Sequence, residues 1–180
     1  MFSSISRYSV FLVTTAFILI LTGCASPAKR EAMIPQGIAS SKNYPYSLSV
    51  QTSGGSETGA MGSSNISDAD LKAAIEDAVV QSKLFTSIIQ GAGGDYQLSV
   101  RVINLSKPVF GATFTVEMET AWSLIKTADN SVVMRKSVKA SGKATMGDAF
   151  VAVTRIRLAV ENAARENISQ GLKAIAELSL

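Results

Sequence analysis

The segment Phe114-Thr-Val-Glu-Met-Glu-Thr-Ala-Trp-Ser-Leu124 alternates between two kinds of side chain, and this alternation decides the fold. A period of two is typical of a β-strand that has one buried face and one solvated face. The side chains predicted to face the core are Phe114, Val116, Met118, Thr120, Trp122 and Leu124. We therefore predict a long strand with an apolar inner face.

A second alternating segment follows directly, so the two segments are predicted to form a β-hairpin. Asp129-Asn130 lies between them, and the second strand extends from Val132 to about Lys143. Its inward side chains are predicted to be Val132, Met134, Val138 and Ala140. Two registers keep the apolar faces aligned and place opposite charges together. One register pairs Glu119 with Lys139, and the other pairs Glu117 with Lys143.

The chain before this hairpin predicts two more strands with a helix between them. Residues 46–51 alternate, and Tyr96 to Val102 alternates most clearly of all. Ser67-Asp-Ala-Asp70 resembles a capping box with Asp in the place of Glu, so a helix is predicted over 68–83. Its buried stripe is predicted to be Leu71, Ala74, Ile75, Ala78, Val79 and Ser82. The side chains that cover its exit are predicted to be Leu84, Phe85, Ile88 and Ile89.

The chain after the hairpin contains no proline and predicts one long helix over 148–177. Its buried stripe is predicted to contain Ile156, Val160, Ala163, Asn167, Gly171 or Leu172, Ile175 and Leu178. Small residues in this stripe would let the helix lie close to the sheet. Asn167 interrupts the apolar pattern, and we favour a buried amide bonded to the backbone over a polar contact at an interface.

These elements follow the order β-α-β-β-β-α and predict an α+β fold. Helices that lie on one face of a mainly antiparallel sheet form a two-layer sandwich. In this arrangement Trp122 is predicted to be a core residue. It would hold a ligand only if the two layers left a gap.

Three patterns that could carry chemistry have simpler interpretations. The Gly/Ser-rich loop 53–64 lacks the Gly-Lys-Ser/Thr of a P-loop, because Gly59 is followed by Ala-Met, so a mobile surface loop is predicted. Glu117 and Glu119 share one strand face and could be compared with a glycosidase pair. Opposite a basic strand, they are predicted to form cross-strand ion pairs instead. The chain contains no Gly-x-Ser-x-Gly, although a Ser-Lys dyad stays open.

The composition excludes most familiar catalytic and metal chemistry. The chain contains one cysteine and no histidine. It therefore cannot form an internal disulfide, a Ser-His-Asp or Cys-His catalytic group, or a zinc site built on imidazole. Its 17 basic and 14 acidic residues give a mild net charge of +3 without a basic block, which argues against nucleic acid as a partner. We expect no catalytic residue, no metal, no cofactor and no enzymatic activity.

The first 23 residues have the pattern of a secretory signal peptide. Arg7 provides the positive charge, and Val10 to Leu21 form an apolar stretch that is too short for a spanning helix. Leu21-Thr22-Gly23-Cys24 follows, and it resembles the lipobox of bacterial lipoproteins. The resemblance implies that signal peptidase recognises Leu21, Thr22 and Gly23. It also implies that Cys24 becomes the first residue, with diacylglycerol on its sulfur and an acyl chain such as palmitate on its amine.

The resemblance also implies a location and a domain plan. Ala25 rather than Asp after the cysteine resembles the outer-membrane sorting signal of Gram-negative lipoproteins. Residues 24–43 contain Pro27, Pro35 and Gly37, and they are predicted to form a lipidated tether in which Met33-Ile34 and Ile38 could dock locally. Residues 44–180 would form the single domain, on the periplasmic face.

The lipobox, the element order and the long last helix resemble small envelope lipoproteins. Examples are the lipopolysaccharide-assembly lipoprotein subunit and the YajG-like families, which share the topology over most of the mature chain. Outside Leu21 to Cys24 no motif matches residue by residue, so no functional residue is transferred. The resemblance implies a non-enzymatic accessory subunit or chaperone of an envelope complex with an unidentified protein partner. The alternative is a periplasmic lipid- or glycan-binding module.

Overall fold

Five strands form one open sheet and helices cover one of its faces. The computed structural model describes residues 25–37, 40, 42–59 and 63–180, to which every structural statement here refers. The elements are α1 (Arg30–Met33), β1 (Tyr44–Ser53), α2 (Asp68–Ser82), β2 (Phe85–Ile88), β3 (Tyr96–Ser106), β4 (Phe114–Lys126), β5 (Ser131–Ala144) and α3 (Ala152–Ala176). The predicted α+β two-layer sandwich is confirmed.

The sheet is mixed, with the strand order β2-β1-β3-β4-β5. Strand β1 is parallel to both β2 and β3, whereas β3, β4 and β5 form the predicted antiparallel meander. Strand β2 was not predicted as a strand, because four residues are too few to show a period. Of the residues expected to cover the exit of α2, Leu84 and Phe85 are buried, and Ile88 and Ile89 are half-buried.

The β4–β5 hairpin adopts the first of the two predicted registers. Glu119 lies opposite Lys139, and Asn130 supplies the left-handed turn residue with a φ of 57°. The six inward side chains predicted for β4 are all buried. The inward prediction is wrong for Val132, which is exposed, because an irregularity at Leu124/Ile125 shifts the register near the turn.

Helix α2 begins and packs as predicted. The Ser67 hydroxyl oxygen accepts the Asp70 N–H at 3.1 Å and donates to the Asp70 carboxylate at 2.7 Å. All six residues of the predicted stripe are buried. Helix α3 begins later than predicted, at Ala152, because residues 145–148 form a turn in which Asp148 accepts hydrogen bonds from Thr145.

Asn167 occupies the interior between α3 and the sheet. Its amide donates to the Val138 carbonyl at 3.0 Å, and its oxygen accepts from the Thr120 hydroxyl at 2.7 Å and from Trp122 Nε1 at 3.2 Å. The predicted buried amide is thus confirmed. Trp122 is fully buried, and a Cβ added at Gly171 would lie 2.4 Å from its ring. The two layers therefore leave no gap beside Trp122.

The N-terminal segment contains a short helix and contacts the domain. Residues 25–37 include helix α1, and Met33 is fully buried. The backbone N–H of Ala28 donates to the Asn65 carbonyl at 3.1 Å, and the Lys29 N–H donates to Glu161 at 3.0 Å. The predicted local docking of Met33-Ile34 is confirmed, because both side chains are buried and helix α1 contacts α2 and α3. Ile38 lies outside the described residues.

Candidate functional site

The predicted lipidation site lies outside the described residues. This holds for Leu21, Thr22, Gly23, Cys24 and the rest of the signal peptide. Among the residues that the structure describes, no helix is both long enough and apolar enough to cross a membrane. Lipid attachment at Cys24 therefore stays a prediction.

A groove with a volume of about 1210 Å³ follows strand β5. It is open to solvent, and strand β4, helix α3 and the turn after α1 complete its walls. Strand β5 is the last strand of the sheet, so one of its backbone edges has no neighbouring strand. The polar residues that line the groove include Gln36, Asn104, Glu117, Glu119, Lys139, Ser141, Lys143, Asn162, Arg165, Glu166, Ser169 and Gln170.

Charges of both signs lie along this groove. Lys139 Nζ is 3.5 Å from a Glu119 carboxylate oxygen, and the Lys139 side chain is 75% exposed. The other Glu119 oxygen accepts from the Ser137 hydroxyl at 2.9 Å. Arg165 donates to the Ala32 carbonyl and, at 2.8 Å, to Asn162, so it joins the docked N-terminal segment to the groove wall. A wall of this kind favours polar partners over apolar ligands.

The two carboxylates predicted to form cross-strand ion pairs differ in their partners. Glu119 pairs with Lys139 as expected. The ion pair predicted for Glu117 is wrong for the described structure, because the observed register places Glu117 opposite Ser141. No cluster of three or more potential metal ligands occurs in the part of the chain that the structure describes.

The Gly/Ser-rich loop uses several of its backbone groups internally. Gly55 N–H donates to the Asp68 carboxylate at 2.8 Å, and Ser56 N–H donates to the Ile66 carbonyl at 2.9 Å. The Asp68 carboxylate thus occupies the position at which an anion would meet the Gly55 N–H, and the Ser56 N–H is already bonded to a carbonyl. The described part of the loop is therefore a structural connection, and residues 60–62 lie outside it.

Two buried charged groups were missed by the sequence reasoning. Arg155 is 6% exposed and donates to the carbonyls of Ala149 and Phe150 at 3.0 and 2.6 Å. Glu161 is buried, and it accepts from Arg157 at 2.7 Å as well as from the Lys29 N–H. Arg157 and Glu161 are four residues apart on one helix, and this spacing could have indicated their ion pair. The partners of Arg155 are backbone carbonyls, which carry no sequence signal.

Three exposed aspartates and one lysine have shifted pKa values. Hydrogen bonds from Ser47, Ser131 and Thr145 lower the pKa values of Asp95, Asp129 and Asp148 respectively. Asp129 and Asp148 each stabilise a turn by accepting from a backbone N–H and a hydroxyl. Asp95 accepts from the same two groups of Ser47, which lies in strand β1. Burial lowers the pKa of Lys107, whose ammonium donates to the Ser64 carbonyl at 3.1 Å and to Asn65.

Comparisons with known proteins give matches in structure alone. No family model and no curated protein matches this chain. Protein XCC0632 from Xanthomonas campestris, described under family DUF330, matches with 14% identity and a TM-score of 0.58, over 84% of this chain and 94% of that one. A PelC dodecamer from Paraburkholderia phytofirmans matches with 12% identity and a TM-score of 0.51, over 87% and 95%.

Bacterial lipoproteins are also among the structural matches. Rare lipoprotein B from Shewanella oneidensis matches with 12% identity and a TM-score of 0.47, over 72% of this chain and 93% of that protein. The two matches with TM-scores above 0.5 establish a common fold, and at these identities no match transfers an activity or a site.

Proposed function

We propose that this chain is a bacterial lipoprotein that acts as a non-enzymatic accessory subunit of a cell-envelope complex. Lipid on Cys24 would hold it on the periplasmic face of the outer membrane. The lipobox Leu21-Thr22-Gly23-Cys24 and the residue Ala25 support the anchor and its location. The occurrence of bacterial lipoproteins among the structural matches agrees with this proposal.

The groove beside strand β5 is the observation that carries the accessory role. It combines an unpaired strand edge with side chains of both charges, and both features can bind a polar protein surface. Lys139 and Lys143 discourage the non-specific pairing to which an exposed edge is otherwise prone. The interior is filled at Trp122, so the molecule offers a surface to a partner rather than a chamber to a substrate.

Site-specific photo-crosslinking in cells tests this role. A photoreactive residue replaces Ser141 in the groove, and a matched control replaces Gln81, which is exposed on α2. We expect one envelope protein to crosslink from Ser141 and not from Gln81, and the product to disappear in a Cys24→Ala form. If Ser141 crosslinks to a second copy of this chain, the partner is another copy, as in the dodecamer that PelC forms. Equal or non-specific products at both positions would refute the accessory role.

A glycan-binding module is the second candidate, and the polar lining of the same groove favours it. A lipid ligand between the layers loses support, because Trp122 packs directly against Gly171. Native mass spectrometry of the chain released from envelopes would detect a bound oligosaccharide. A glycan that is bound by the native chain and lost in Glu119→Gln would favour this candidate over a protein partner.

A further inference from the structure

Two loops at one end of the domain expose large apolar side chains. Val109 and Phe110 lie between β3 and β4 and are 90% and 86% exposed, and Phe150 lies between β5 and α3 and is 83% exposed. Met146 and Val151 of the second loop are also exposed. We call these five residues the apolar tip. Aromatic side chains held in water at loop ends are unfavourable unless a binding surface covers them.

A buried arginine holds the two loops together. The Arg155 guanidinium donates to the Ala149 and Phe150 carbonyls of one loop and, at 3.4 Å, to the Gly111 carbonyl of the other. It also lies 5.1 Å from the centre of the Phe114 ring. The two loops that expose the apolar side chains are therefore joined to each other through Arg155.

The N-terminal segment reaches the domain at this same end. Ala28 N–H bonds to the Asn65 carbonyl, and the Lys107 ammonium bonds to Ser64 and Asn65. Lys107 precedes Val109 by two residues, so this contact adjoins the tip. Four peptide bonds separate the Cα atoms of Cys24 and Ala28, and an extended chain spans at most about 14 Å over that length. A lipid on Cys24 would thus bring this end of the domain close to the bilayer.

We propose that the apolar tip inserts into the surface of the bilayer that holds the lipid of Cys24. This inference rests on the proposed lipoprotein function. Amphipathic protein surfaces bury their apolar residues about 5–10 Å into the boundary between headgroups and acyl chains. Asp148 lies in the second loop with its carboxylate bonded to Thr145, which limits insertion to the headgroup level. The anchor and the tip together fix the orientation of the domain, so that the long axis of β5 rises from the membrane.

A polarity-sensitive fluorophore tests the insertion in the full-length lipidated chain. Phe110→Cys or Phe150→Cys carries the fluorophore, and Ala128→Cys, which is exposed at the β4–β5 turn, is the matched control. Cys24 is the native cysteine and would be blocked by lipid, and the unsubstituted chain gives the background. The protein is reconstituted in vesicles of phosphatidylethanolamine and phosphatidylglycerol, with and without lipids that carry a quencher near the headgroup.

We expect blue-shifted emission and at least twofold quenching at positions 110 and 150, with neither effect at 128. The intact mass of the same sample reports whether Cys24 is lipidated. A lipidated chain whose probes at 110, 150 and 128 behave alike would overturn the insertion and leave the anchor intact. A blue shift at 110 and 150 in detergent, growing with protein concentration, would also overturn it, because another protein copy would then cover the tip. A chain without lipid on Cys24 would refute the anchor and the inference together.

Discussion

The two faces of the β4–β5 hairpin place their polar groups in opposite situations. On the inner face, Asn167 of α3 joins Thr120, Trp122 and Val138 in a buried network. On the outer face, Glu119 and Lys139 form an exposed ion pair beside an open groove. Polar groups on the inner face therefore hold α3 against the sheet, whereas those on the outer face stay exposed to solvent, where a partner could reach them.

Alanine substitutions at two neighbouring positions, one on each face of the hairpin, should differ most in stability. Gly142 lies on the inner face, and a Cβ at this position would lie 2.1 Å from the Ala163 backbone nitrogen. Because backbone atoms of α3 cannot move away cheaply, Gly142→Ala should lower the free energy of unfolding by about 3 kcal/mol. Urea denaturation measures it. Ser141→Ala on the outer face is the control, with an expected change within about 0.5 kcal/mol. Equal effects would contradict the close contact of α3 with β5.

The next effect comes from the buried amide. Asn167→Leu keeps the side-chain volume but leaves the Val138 carbonyl and the Thr120 hydroxyl without this partner. The Thr120 hydroxyl oxygen still accepts from Trp122 Nε1 at 2.8 Å. We therefore expect Asn167→Leu to lower the free energy of unfolding by about 2 kcal/mol, within the usual cost of an unpaired buried polar group. Asn162→Leu is the matched control, because Asn162 donates to the Lys143 carbonyl at an exposed position. Thermal unfolding should separate the two variants clearly, and a stable Asn167→Leu would show that the network adds little.

The ion pair on the outer face should contribute little to stability. A double-mutant cycle with Glu119→Gln and Lys139→Gln should give a coupling of about 0–1 kcal/mol, because the pair is solvated and Lys139 is mostly exposed. Added salt should reduce the coupling further. A coupling well above this range would show that the ion pair stabilises the fold. It would then argue against the proposal that the outer face binds a partner.

The smallest effect is a loss of stability in acid. The pKa values of Asp95, Asp129 and Asp148 are lowered in the folded chain by hydrogen bonds from Ser and Thr. Since the unfolded value is near 3.8, their contribution is fully present above that pH and is lost as the pH falls through the lower folded values. Asp148→Asn should flatten the dependence of stability on pH below about 4. An unchanged profile would contradict this role of Asp148.

The hairpin and helix α2 could be predicted from the sequence because their signals are local. The alternation from Phe114 to Leu124 identified the side chains that face the core. The charged residues limited the strand register to two possibilities, and the observed register places Glu119 opposite Lys139. Ser67 showed the start of α2. Asn167 could also be assigned, because an amide within an apolar stripe needs hydrogen-bond partners when it is buried.

The remaining features depend on contacts that the local sequence does not contain. Strand β2 is defined by its pairing with β1, and Met33 is buried by two helices that are distant in sequence. The partners of Arg155 are carbonyls in two separate loops. The irregularity that exposes Val132 likewise arises between strands. The groove and the apolar tip could not be predicted, because both are formed where these elements meet.

The lipid anchor on Cys24 can be tested by the intact mass of the mature chain isolated from membranes. We expect a polypeptide that begins at Cys24 and carries the added mass of a diacylglycerol and an acyl chain. A Cys24→Ala chain should lack this mass and leave the membrane fraction. A mature chain that begins elsewhere, or one with an unmodified Cys24, would contradict the lipid anchor and the envelope role built on it.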